Sequence, residues 1–167
     1  ALLSATQDWP PLADLIRTHG ARLEKEGRTQ TLREWVAALP EDEVNRDPWL
    51  LYWYGIGHLF TDPFRAYALF QAAWPLFKER DNALDLYWGW IGATSALFFS
   101  MDDMESAPYW IAELEALRAR HPRWPSFEVR ARVTGAAVGV LMLGDCANPI
   151  LPVWVARAEK LFRFVPV

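Results

Sequence analysis

Tyr54 and His58 stand four residues apart, a spacing that sets a phenol and an imidazole on one side of a helix. Such a pair does binding chemistry: an aromatic face and two polar ring atoms to hold a ligand or a partner side chain. These two are the leading contact candidates, with packing between neighbouring helices as the plain alternative. Tyr52 and Tyr87 each precede a tryptophan, Trp53 and Trp88, and are candidates for a second aromatic contact. The other chemistry-bearing residues do not form a reactive pattern. His19, His58 and His121 are scattered, with no HExxH and no His/Cys cluster, so no metal site is expected. Asp102 and Asp103 resemble the start of a metal-binding aspartate run, but Ser106 stands where a third acid is needed, and the run reads as a solvated helix N-terminus. Ser95, Ser100 and Ser106 lack a GxSxG elbow, and Cys146 has no sequence partner for nucleophilic catalysis. Gly55 and Gly57 begin a GxG with no third glycine, inside an expected helix, and are not a dinucleotide loop. The expectation is a protein that is not an enzyme and has no cofactor.

The elements that position these residues follow from a repeat. The pattern WxxIGxx(F/S), Trp53, Ile56, Gly57, Phe60, recurs 35 residues later as Trp88, Ile91, Gly92, Ser95. That interval is the period of helix-turn-helix repeats. Ala66, Phe70 and Ala73 follow as AxxxFxxA, the second half of a tetratricopeptide (TPR) unit. An aromatic fills the gap between antiparallel helices, and a glycine one turn on lets their backbones approach. The fit is loose in places. The gap from Phe60 to Ala66 is three residues short, that from Ser95 to Ala107 is longer by the same number, and Trp154, Ala158 and Leu161 align only at a stretched interval.

Helix starts are written in local chemistry. Asp47-Pro48, Asp62-Pro63 and Asn148-Pro149 each put an acceptor at the N-cap and a proline at the first helical position. The spacing predicts helices over about Pro10 to Glu26, Thr29 to Leu39, Pro48 to Leu59 and Pro63 to Glu79. Gly27 is the first stop, Pro40 the second, and a kink or late break is expected at Pro75. Further helices are expected from Asp81 or Asn82 to about Phe99, from the acidic run Asp102, Asp103, Glu105 to about Arg120, from Ser126 to Leu143, and from Pro149 to Phe164. Gly135, Ala136 and Gly139 read as a narrow face for close helix approach. If Trp53, Ile56, Gly57 and Phe60 face the second helix of their own hairpin, Tyr54 and His58 turn toward the concave wall of a solenoid. The fold class expected is all-α, a TPR-like α-α solenoid of about four antiparallel hairpins in a right-handed superhelix, one domain over 1–167.

Composition narrows the partners. With 17 basic against 21 acidic residues there is no electrostatic footprint for nucleic acid. The longest uncharged stretch, Leu86 to Met101, has 16 residues with Gly89, Gly92, Thr94 and Ser95 inside it, short of the ~20 a spanning helix needs. No membrane segment is expected. A single cysteine fits a reducing cytoplasm. Ala1 at the start and Phe164 to Val167 at the end, without a clear cap, point to an excerpt of something longer, and truncation is an expected cause of exposed apolar residues near Phe162, Phe164 and Val165.

The run GRTQTLREWVAALPEDEVNRDPWLLYWYGIGHLFTDPFRAYALFQAAWPLFKERDNALDLYWGW, Gly27 to Trp90, resembles the helical region after the ATPase module in MalT-like bacterial transcriptional regulators of the signal-transduction ATPase (STAND) class. The phrases TLREWVAALP, DPWLLYWYG and DPFRAYALFQAAWPLF carry the similarity, strongest from Gly27 to Asp81. The resemblance implies a sensor and assembly platform that takes up a small-molecule inducer or a protein on its concave face. It also implies an ATPase and an output domain, often LuxR-type DNA binding, elsewhere in the full-length chain. No GxxxxGK(S/T) is present, so this segment carries no phosphate cradle of its own. A free-standing interaction or oligomerisation module is the second reading, and an all-helical enzyme a weak third.

Overall fold

The computed structural model describes residues 9–101 and 104–163. Every regular element among them is helical, and no strand occurs. The chain divides into two compact units, Ala1–Arg80 and Asp81–Val167.

The first unit contains α1 (Trp9–Lys25), α2 (Thr29–Ala37), α3 (Glu41–Arg46), α4 (Pro48–His58) and α5 (Pro63–Arg80). Gly27, at φ 71°, turns the chain after α1 in the left-handed region that a side chain would resist. Asp47 starts α4: its Oδ1 accepts from the amides of Trp49 (2.8 Å) and Leu50 (3.3 Å). Its Oδ2 accepts from Arg17 Nε at 2.9 Å, tying α1 to that cap. Helix α4 is the hub, nearly every residue buried, packed most extensively on α5 and α2 and less on α1 and α3. Ala66, Phe70 and Ala73 are fully buried on the inner face of α5.

Three expectations change here. Pro40 does not only end a helix; it precedes α3, whose first turn Glu41, Asp42, Glu43 sits favourably at a helix N-terminus while Val44 packs inward. Pro75 does not break α5, because Pro75 and Gln71, whose carbonyl loses its donor, both lie on the exposed side. Phe60 is 69 % exposed rather than inward. The amides of Thr61 and Asp62 both donate to the His58 carbonyl, at 2.9 and 2.8 Å, so α4 ends before Phe60 and leaves it on a turn.

The faces of α4 are also assigned differently. A Cβ on Gly57 would lie 3.0 Å from the Arg33 backbone in α2, and a Cβ on Gly20 in α1 would overlap the Trp53 indole. Trp53 and Gly57 therefore face the preceding hairpin, and it is Gly55 that faces Phe70 in α5.

The second unit contains α6 (Ala83–Ser100), a 3-10 turn (Met104–Ser106), α7 (Ala107–Arg120), α8 (Phe127–Gly144) and α9 (Leu151–Phe162). Asn82 Oδ1 caps α6 through the amides of Leu84 and Asp85, and Ser126 Oγ caps α8 through Val129. Asn148 Oδ1 accepts from Ile150, but only a turn forms there and α9 begins two residues after Pro149. Asp102 and Asp103 lie outside the described residues, as do Phe164 and Val165. Glu105 is in the 3-10 turn, and α7 starts after it. Helix α6 packs most extensively on α8, with α7 beside them, and α8 packs on α9. The helix pairing thus differs between the two units and does not repeat with a fixed period.

Gly135 has nothing within 4 Å of a Cβ position and Gly139 meets only the Phe98 ring, so this small-residue face borders an open groove instead of a tight crossing. Gly135→Ala is expected to stabilise the chain by about 0.8–1 kcal/mol through helix propensity alone, a gain read as a raised urea midpoint at unchanged slope.

Candidate ligand-binding site

The link between α4 and α5 builds the site. Asp62 Oδ1 accepts from the Arg65 amide at 3.0 Å and opens α5 four residues after the last turn of α4. Arg65 is thereby folded back over Tyr54: Nη2 donates to the Tyr54 hydroxyl at 3.1 Å, with the guanidinium carbon 5.4 Å from the ring centroid. Tyr54 packs edge-on against His58, centroids 4.9 Å apart at 65°. The pair expected to share a face does so.

Beside Tyr54 lies a cleft of about 350 Å³ among α2, α3, α4 and α5. Val36 and Val44, both buried, form an apolar floor with Leu69, while Glu41, Asn45, Tyr54 and Arg65 supply polar groups of both charges. The arrangement suits a small molecule with an apolar body and a hydrogen-bonding edge that meets both Arg65 and Glu41. Arg65, Asn45 and the whole of α3 were not among the candidates read from the sequence. The signal for Arg65 was the shortened gap before Ala66, which obliges the first turn of α5 to sit against the last turns of α4.

His58 is 8 % exposed, and its Nε2 makes no hydrogen bond to the protein. Its pKa is held below the ordinary histidine value, first by burial, then by the Arg65 and Arg33 guanidiniums, with Asp62 opposing. The unfolded chain therefore takes up a proton first as pH falls below the ordinary value of ~6.5. Stability contributed by neutral His58 is complete above that pH and is lost on the acid side, down to the depressed folded value. His58→Gln is expected to flatten the dependence of the urea midpoint on pH below ~6.5 relative to the parent chain. Parallel curves for the two proteins would contradict it.

Tyr52 and Tyr87 are both fully buried, in different company. Tyr52 packs against Trp49 (5.3 Å), Trp53 (4.9 Å) and Phe70 (5.4 Å) in the core of the first unit. The Tyr87 hydroxyl donates to the His121 carbonyl at 3.0 Å and accepts from Arg118 Nη1 at 3.2 Å. Arg118 in turn covers the Trp124 ring at 4.0 Å, so Tyr87 locks the turn between α7 and α8. Neither ring lines the cleft beside Tyr54. His19 and His121 are half-buried in separate units, and Cys146 is exposed. Gly55 and Gly57 lie within α4. Among the described residues no three His, Cys, Asp or Glu side chains are grouped to hold a metal ion, and no helix is long and apolar enough to cross a membrane.

No protein-family model, curated protein or solved structure matches this chain.

Proposed function

We propose that this chain is a non-catalytic helical repeat segment of a MalT-like regulator, which binds a small inducer or a protein and passes that event on through helix packing. The observation that carries the binding half is the cleft floored by Val36 and Val44 and edged by Tyr54 and Arg65. Its walls come from four helices, so an occupant touches them all at once and biases their packing. The regulator half rests on the wording of Gly27 to Trp90. A divergent TPR-like solenoid accords with the two WxxIG units and with the buried Ala66, Phe70 and Ala73. In the second unit α6 and α8 pack on each other and each packs on the helix that follows it, contacts that accord with paired hairpins.

Two experiments test the reading. A nucleotide-binding Walker motif encoded upstream in the same reading frame is expected; its absence leaves a free-standing interaction module. A thermal-shift screen of small anionic and neutral metabolites is expected to yield a ligand whose effect disappears in Tyr54→Ala and Arg65→Ala. A ligand unaffected by both variants does not use this cleft.

A further inference from the structure

We propose that the groove between α6 and α8 binds a carboxylate-bearing amphiphile, its head group on Arg132 and its aliphatic chain along Phe98 and Phe99. The site lies wholly within the second unit and is independent of the Tyr54 cleft. It encloses about 240 Å³, walled by Ile91, Phe98 and Phe99 of α6 and floored by Ala136 and Gly139 of α8. Phe98 and Phe99 are 42 % and 45 % exposed, an uncommon state for two adjacent phenylalanines beside an open trough. The open space at Gly135 leaves the trough unfilled. Thr94 adds little polarity, because its hydroxyl already donates to the Trp90 carbonyl at 2.7 Å.

Charge chooses the occupant. Arg132 is the charged residue of the lining. Its guanidinium is seated 4.9 Å over the Trp88 ring and lies 3.4 Å from Glu128, with the two side chains 34 % and 40 % exposed. An ion pair that exposed is weak enough for a ligand carboxylate to displace, while the tryptophan keeps the guanidinium in place. Arg132 and Gly139 are seven residues apart on α8, about 10 Å, the reach of a medium-length alkyl chain from the guanidinium to the Phe98 ring. Arg132 lines the trough and Glu128 does not, so a carboxylate in the trough gains a charged partner and an amine meets a like charge.

Octanoate is the probe, with octylamine and octyl glucoside as controls, titrated into the whole chain by calorimetry. Octanoate is expected to bind saturably, one per chain, with octylamine and Arg132→Gln each about tenfold weaker, the worth of one charge-assisted hydrogen bond. Gly135→Leu fills open space on an exposed helix position and is expected to abolish binding while far-ultraviolet circular dichroism is unchanged. Equal binding of octanoate and octylamine, undiminished binding by Gly135→Leu, or no saturable binding of octanoate overturns the proposal. So does self-association, followed by sedimentation velocity, that Gly135→Leu removes and octanoate leaves untouched, since a second copy would then be the occupant.

Discussion

Trp90→Ala is expected to lower the stability of the chain by about 3–5 kcal/mol, the range for emptying a buried tryptophan site. The residue is fully buried in α6, next to Trp110 of α7, which is 1 % exposed. Its indole Nε1 donates to the Trp110 carbonyl at 2.7 Å, so one side chain both fills the space between the helices and fixes their register. The Thr94 hydroxyl donates back to the Trp90 carbonyl one turn earlier, which satisfies that buried hydroxyl. Trp90→Phe separates the two contributions: it keeps most of the volume and loses the hydrogen bond, and its expected cost is about 1–2 kcal/mol from that bond and the smaller ring. Urea unfolding followed by circular dichroism reads both. A loss below about 1 kcal/mol for Trp90→Ala would mean that the space between α6 and α7 collapses freely, and that this indole does not hold them apart.

What could be read from residues alone was whatever is decided within one turn of helix. Asp47, Asp62 and Ser126 cap as read, because a short acceptor meets free amides at a helix start; of Asp81 and Asn82 it is Asn82 that caps, and Asn148 starts only a turn. Gly27 stops α1 for the same local reason. Pro40 reads equally as a terminator and, followed by three acids, as a start, and only the packing of Val44 decides for α3. The side of α4 on which Trp53 and Gly57 lie is not a local property. Sequence spacing puts them on one face; only the bulk of α1 and α2 decides that this face looks backward along the chain. Tyr54 and His58 share a side whichever way α4 is turned, but of the two Tyr54 alone lines the cleft, and its surroundings, Arg65 and the floor at Val36 and Val44, were out of reach. Tyr52 and Tyr87 matched in sequence position and differ in role, because one is enclosed by rings and the other by the turn at His121.

A size exchange between Gly20 and Trp53 tests that orientation most severely. Trp53 is 4 % exposed, stacked on Trp49 at 5.8 Å and edge-on to Tyr52 at 4.9 Å, with its indole filling the space where a Gly20 side chain would go. Trp53→Ala is expected to cost about 3–5 kcal/mol. Gly20→Ala adds a methyl group against a ring whose stacked neighbours hinder its retreat. Overpacking of about 1–3 kcal/mol is opposed by about 1 kcal/mol of helix propensity, for a net loss of up to about 2 kcal/mol. In the double variant the methyl group has nothing to strike, so Gly20→Ala becomes neutral or favourable and the double loss falls short of the sum by about 1–3 kcal/mol. Urea midpoints of the four proteins measure this coupling. Additive losses would mean that α1 does not lie on the Trp53 face of α4.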